Sequence, residues 1–320
     1  NLYDTISDNY IHNVAIEYLG GVGIWQGYAQ HSLISHNQID DVPYTAISIG
    51  WAGWHANILS PDSDPNVNSY NVISDNLMYN YMQTLGDGGA IYTNGGQASG
   101  WADELVISGN VAYNGTNTDF SLYTDTGSQY IKLSDNLVYD QPIDSFASGG
   151  CHTVGHIRLS DNFFSQLGPL YPCDAVIDVD ATNDQLVCTD IPAGQAPDSI
   201  LANAGIEPSQ RSFIDAEKPT MTLIGPTEVP LSGGVVLISG SGFQPSTTVY
   251  FGSQPAQSVT VISGNYLLAA APAGNGTVPV ILSTSTGPST QAPGNQISYS
   301  SSPAPCLPIL GGGVSSSLLP

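Results

Sequence analysis

The sequence predicts an all-β protein: a right-handed parallel β-helix followed by a small immunoglobulin-like β-sandwich. Three observations carry that prediction. A short motif ending in asparagine recurs six times at near-coil spacing. From Pro219 the chain changes to apolar runs set between Gly, Pro and Ser turns. The 320 residues are 41% hydrophobic, enough for a core, with no apolar run long enough to span a membrane.

The repeats read Ile6-Ser7-Asp8-Asn9, Ile34-Ser35-His36-Asn37, Ile73-Ser74-Asp75-Asn76, Ile107-Ser108-Gly109-Asn110, Leu133-Ser134-Asp135-Asn136 and Leu159-Ser160-Asp161-Asn162. The anchor asparagines stand 28, 39, 34, 26 and 26 residues apart. One such coil cannot bury its apolar face alone, so neighbours must stack. The apolar residue before each Ser is expected to point inward, as is the residue two past each Asn. The Asn is expected at a tight bend, where a left-handed backbone is tolerated, and stacked Asn side chains can bond along the ladder. Asn-rich turns also occur in sandwiches and propellers, but six repeats at this spacing favour coils. The two longest intervals hold insertions, Trp51 to Asn68 and Asn94 to Trp101. Extra loops on a regular scaffold are where binding sits.

The expected organisation is a β-helix over 1–190, a cap and linker over 191–218, a sandwich over 219–299 and a Ser/Pro/Gly-rich tail over 300–320. Pro197 to Ala204 reads as a short helix. Cys173 and Cys188 bracket one strand-like run and are the disulfide candidates, with buried free thiols as the alternative. No His or Cys spacing suits a metal, and no cofactor is implied. Asn1 falls inside a coil pattern. Either the N-terminal part of its own precursor or identical subunits would then stack on the open end of the helix.

Lys and Arg total 4 against 27 Asp and Glu, a formal charge of −23. Such a surface repels nucleic acid and anionic lipid. It also suits a polyuronate poorly, which disfavours lyase or epimerase chemistry. A neutral glycan is the better partner.

Two acidic islands stand out. Asp87 lies in Gly86-Asp87-Gly88-Gly89, whose bare backbone is expected to let a ligand approach. Asp125 lies in Tyr123-Thr124-Asp125-Thr126-Gly127. Their offsets from Asn76 and Asn110 are similar, so they are expected on one face of successive coils, about 4.8 Å apart. Paired carboxylates at short range serve as acid and nucleophile on a glycosidic bond. The alternative is that both bond turn amides, as Asp does in many loops. Trp25, Tyr44, Trp51, Trp54, Tyr92, Trp101 and Tyr123 are candidates for stacking on sugar rings, with some of them in the core on the plainer reading.

The stretches Gly20-Gly21-Val22-Gly23-Ile24, Val42 to Trp51, Leu85 to Tyr92 and Leu122 to Ser128 together resemble the β-helix glycosidases of glycoside hydrolase family 141. That family includes an α-L-fucosidase and xylanases. The resemblance runs over about 1–162 and implies that Asp87 and Asp125 are the catalytic carboxylates. Where relatives read Asp-Glu-Gly-Ser, this chain has Asp125-Thr126-Gly127-Ser128. Ser239-Gly240-Ser241-Gly242-Phe243 and Val249-Tyr250-Phe251-Gly252 resemble the IPT/TIG family, a spacer and binding module. The expectation is a secreted, extracellular or cell-surface glycoside hydrolase. The rival is an extracellular structural subunit, a surface layer or filament, on a glycosidase-derived scaffold.

Overall fold

The computed structural model describes residues 1–52, 67–116, 120–140, 144–150, 154–172, 177–187, 194–215, 217–290, 292 and 294–304. Trp54, Cys173 and Cys188 lie outside the described residues. The chain divides into two compact units, one centred on Asn1–Val187 and the other on the residues from Glu207.

The first unit is a parallel β-helix of three sheets. Its first sheet stacks Thr5–Ser7, Leu33–Ser35, Val72–Ser74, Leu105–Ser108, Gln129–Ser134, Gly155–Ser160 and Ile177–Thr182. The second stacks Tyr10–His12, Gln38–Asp40, Leu77–Tyr79, Val111–Tyr113, Leu137–Tyr139, Phe163–Phe164 and Gln185–Leu186. The third stacks Ile24–Gly27, Ile47–Gly50, Ile91–Asn94, Phe120–Thr124, Asp144–Gly150 and Leu167–Pro172. Coils advance in register: Ile34 pairs with Ile73, which pairs with Ile107, which pairs with Leu133.

The inward positions are those that the repeat predicts. Ile34, Ile73, Ile107, Leu133 and Leu159 precede each Ser, and Ile39, Met78, Ala112, Val138 and Phe164 stand two past each Asn. They meet Ile24, Ile47, Ile91, Leu122 and Phe146 of the third sheet in one buried cluster. Each larger aliphatic side chain so buried contributes about 1.5–3 kcal/mol.

The asparagines form a continuous ladder. Nδ2 of each donates to Oδ1 of the next at 2.8–3.0 Å, from Asn9 through Asn37, Asn76, Asn110 and Asn136 to Asn162. The bend itself departs from expectation. The left-handed backbone falls on the residue before each Asn: Asp8, His36, Asp75, Gly109, Asp135 and Asp161. The physical reason is that each Asn turns inward and is needed as a hydrogen-bonding hub. The strained φ passes to its neighbour, where Asp and Gly tolerate it.

The ladder also runs one coil further than the repeat shows. Asn162 donates to Asp184 Oδ1 at 2.8 Å, so an aspartate ends the row where a seventh asparagine would stand. The strand Ile177–Thr182 keeps register with Gly155–Ser160.

The second unit is a sandwich. One sheet orders Thr220–Gly225, Gly234–Ser241, Tyr266–Ala271 and Ser258–Val261. The other carries Glu228–Pro230, Gln296–Ser300, Gly276–Thr284, Thr248–Phe251 and Gln254–Pro255. Val236, Ile238, Phe243, Phe251, Leu267 and Leu282 are among its core residues. The same unit contains the helix Asp198–Asn203.

Candidate functional site

Alternation along the third sheet of the β-helix creates the site. Ile24, Ile47, Ile91 and Leu122 point into the core, so the residues between them point out. Trp25 pairs with Ser48, Ser48 with Tyr92, Tyr92 with Tyr123 and Tyr123 with Ala147, one step per coil. This outer row runs along the helix axis. Trp51 joins it from the insertion, its Nε1 donating to Ser48 Oγ at 3.0 Å and its ring centred 5.9 Å from that of Tyr92. Tyr123 meets Tyr92 edge-on at 5.3 Å.

Asp125 directly follows the strand Phe120–Thr124 that carries Tyr123. Its amide donates to Thr93 O at 3.0 Å, and Ser128 N returns to Asp125 O at 2.9 Å, closing a tight turn. Gly127 supplies the positive φ of 75° which that turn requires. The side chain is 8% exposed. Tyr92 Oη donates to Asp125 Oδ2 at 2.5 Å, and Thr126 Oγ1 donates to Oδ1 at 3.1 Å. The carboxylate therefore meets hydroxyls, not turn amides. Asn94 Nδ2 donates to Tyr92 Oη at 3.0 Å, giving a chain of donors from Asn94 through Tyr92 to Asp125. Asn94 Oδ1 is buried with no hydrogen-bond partner. Burial, then the charge of Asp125, then the bond to it raise the Tyr92 hydroxyl far above its usual pKa, so it stays a donor.

Asp87 is exposed and sits in a left-handed backbone conformation, φ 59°. Its negative charge also pushes the Tyr92 hydroxyl up, while the strand register sets Asn94, not Asp87, level with Asp125. Tyr44 Oη donates to the Asp87 carbonyl at 2.5 Å and ties this loop to the preceding coil. Two of the flanking glycines, Gly88 and Gly89, serve packing. A Cβ on Gly88 would stand 2.3 Å from Thr45 Oγ1 and 2.9 Å from the Tyr44 ring. One on Gly89 would stand 2.6 and 2.7 Å from the carbonyls of Ser121 and Phe120. The loop can lie against two coils only because both residues lack side chains.

The structure thus brings together Asp125, Tyr92, Tyr123 and Trp51, with Trp25 further along the row, and it joins Tyr44 to the Asp87 loop. Trp101 stands elsewhere. It packs edge-on to Tyr130 and His156, with the Arg158 guanidinium 3.7 Å above its ring. Asn94 and Thr126 were not singled out from the sequence. The signal for Asn94 was its place two residues beyond Tyr92, on the same face of the strand.

Residues 219–301 match the IPT/TIG domain family. No curated protein matches the chain. Among solved structures, one described as a glycoside hydrolase is similar with 24% identity and a TM-score of 0.45, over 66% of this chain and 28% of that one. A second, SGBP-B from a complex xyloglucan utilization locus in Bacteroides uniformis, is similar with 23% identity and a TM-score of 0.22, over 24% of this chain and 22% of that one. The chain spans less than a third of the length of either.

Proposed function

We propose that the β-helix unit is a glycoside hydrolase acting on a neutral glycan or its side chains, with Asp125 and Asp87 as the two carboxylates. The observation that carries this reading is Asp125 itself. It is an almost buried carboxylate whose two oxygens accept from Tyr92 and Thr126, at the end of an outer row that also carries Trp51 and, three coils on, Trp25. Both oxygens accepting suits the carboxylate form, so Asp125 is the group that attacks the sugar or activates water. Asp87, exposed on its loop, is the group that protonates the leaving oxygen. The scarcity of cations favours a neutral substrate over a polyuronate. Family 141 activities, fucosidase or xylanase, are the first to assay. An extracellular or cell-surface setting fits a polymeric substrate, and no helix among the described residues is long and apolar enough to cross a membrane.

The test is turnover of a panel of neutral aryl glycosides and neutral polysaccharides by the full chain. Asp87→Asn and Asp125→Asn are expected to abolish it with melting temperature unchanged. Equal turnover by either variant and the wild type removes the mechanism.

A second reading has its own observation. Thr5–Ser7, Tyr10–His12 and Ile24–Gly27 each end their sheet on one side, and Leu2, Tyr3, Ile16, Tyr18 and Leu19 are exposed on the same coil. Open edges and apolar side chains together favour a further coil as occupant. It would come from a precursor's N-terminal part or from an identical subunit of an extracellular assembly. Sedimentation of the purified chain decides between the two: self-association that Tyr18→Lys abolishes supports identical subunits, and a monomer at high concentration excludes them.

A further inference from the structure

The outer row of the third sheet is not symmetric about Asp125. At the carboxylate the rings are closed in: Tyr92 is 6% exposed and Tyr123 9%. Moving toward the first coil they open. Trp51 is half-buried and Trp25 is 55% exposed. One coil in the opposite direction, the row holds only Ala147. Among the described residues, the indoles of this row therefore lie on one side of the carboxylate.

Both indoles are held in place. A Cβ on Gly27 would stand 2.6 Å from the far edge of the Trp25 ring, so the indole lies along its own strand, over the bare residue two positions on. Trp51 takes a left-handed backbone, φ 70°, which is strained for so bulky a residue. The turn sets its ring over Ser48, to which it is hydrogen-bonded. Strain kept at a ring that is only half-buried is not explained by the core.

We propose that Trp51 and Trp25 are successive stacking platforms for a neutral glycan chain that runs along the helix axis from Asp125 toward the first coil. The row steps one coil at a time, about 4.8 Å, close to the length that a pyranose unit adds to an extended chain. Trp25 lies three coils from the Asp125 strand, so a bound chain reaches it with its third or fourth sugar. The flat face of an exposed indole suits the apolar face of a pyranose. The substrate is therefore an oligomer or polymer, held mainly on one side of the bond that is cut. The position of that bond rests on the hydrolase reading above; the stacking itself does not.

The experiment separates the two. Wild type, Trp25→Ala, Trp25→Phe and Asp125→Asn are run on native gels cast with soluble xylan, xyloglucan or glucomannan. At least one polymer is expected to retard wild type and Asp125→Asn alike. Trp25→Ala loses tenfold or more in affinity and Trp25→Phe regains most of it. Calorimetry with oligomers of the retarding polymer is expected to show a larger Trp25→Ala loss for a hexasaccharide than for a disaccharide. No retardation of the wild type in any gel overturns the proposal, as does equal retardation of Trp25→Ala or an equal loss at both lengths. Retention that depends on Trp25 without any turnover keeps the platform and removes the hydrolase. Turnover lost in Asp125→Asn with retention indifferent to Trp25 does the reverse.

Discussion

The asparagine ladder and the aromatic row stand on the same coils, yet one repeats and the other changes at every step. From Asn9 to Asn162 the ladder solves one problem six times. The chain bends, and an amide must satisfy the backbone and the next amide along the axis. Along the row the residues are Trp25, Ser48, Tyr92, Tyr123 and Ala147. No stacking rule demands that series; the glycan proposed above, with its distinct ends, would account for it. A scaffold is read from what recurs in its coils, and a site from the face on which recurrence fails.

Two substitutions split the regions in opposite directions. Asp125→Asn is expected to lower turnover by a factor of at least about 10³, some 4 kcal/mol of barrier, with no change in melting temperature. The ladder behaves the other way. Asn110 donates to the carbonyls of Ile73 and Ser108 and to Asn136, and accepts from the amide and side chain of Asn76. Asn110→Leu strands these buried partners and is expected to cost about 3–4 kcal/mol by denaturant unfolding. A stable Asn110→Leu protein would show the ladder to be ornamental. A destabilised Asp125→Asn protein would make that carboxylate structural.

The same division explains what the sequence revealed. Register, inward positions and the ladder were legible because each is stated several times, and one coil's evidence supports the next. The placement of left-handed φ was not, because Ser-Asp-Asn offers two residues that tolerate it. Only packing shows that Asn76 is the one needed inside. The final coil was expected, but its rung of the ladder was hidden by one substitution, Asp184 for Asn. In the site, Asp87 and Asp125 were visible as acids among glycines. The relay through Tyr92 and Asn94 was not, since it depends on which neighbouring coil each side chain meets. Trp101 has the same composition cue as Trp51, a Gly-rich insertion, and goes instead to Arg158.

Asp40 lies off the row, on the second sheet, and sharpens the comparison from the stability side. It is 2% exposed, and Tyr10 donates to its Oδ2 at 3.3 Å. Burial chiefly, and the charge of Asp41, push its carboxyl from 3.8 to about 6, against the opposing influence of the nearby Tyr79, Gln38 and His12 side chains. The unfolded chain gives up this proton first. The contribution of Asp40 to stability is therefore full below about pH 4 and is lost as pH rises through 6, by about 3 kcal/mol at the limit. Asp40→Asn is expected to remove that fall, gaining on the wild type at pH 7.5 relative to pH 4. Parallel stability curves for the two proteins would show that Asp40 ionises in the fold at no cost.

The smallest expected effect is the most discriminating, because it removes one atom where the two regions differ most. Tyr92→Phe keeps the ring, its edge contact with Tyr123 and its place beside Trp51. It deletes only the hydroxyl between Asn94 and Asp125. A hydrogen bond to a charged group contributes about 1.5–3 kcal/mol, and water can replace part of it. The expected loss is about tenfold in kcat, with KM held, because the rings of the row, Trp51 and Trp25 among them, are unchanged. The unfolding midpoint is expected to fall only by the share of that bond which water does not replace, since the ring fills the same space. A packing role alone would leave kcat untouched and a binding role would raise KM. A fall in kcat alone is the signature of a hydroxyl that aims the carboxylate.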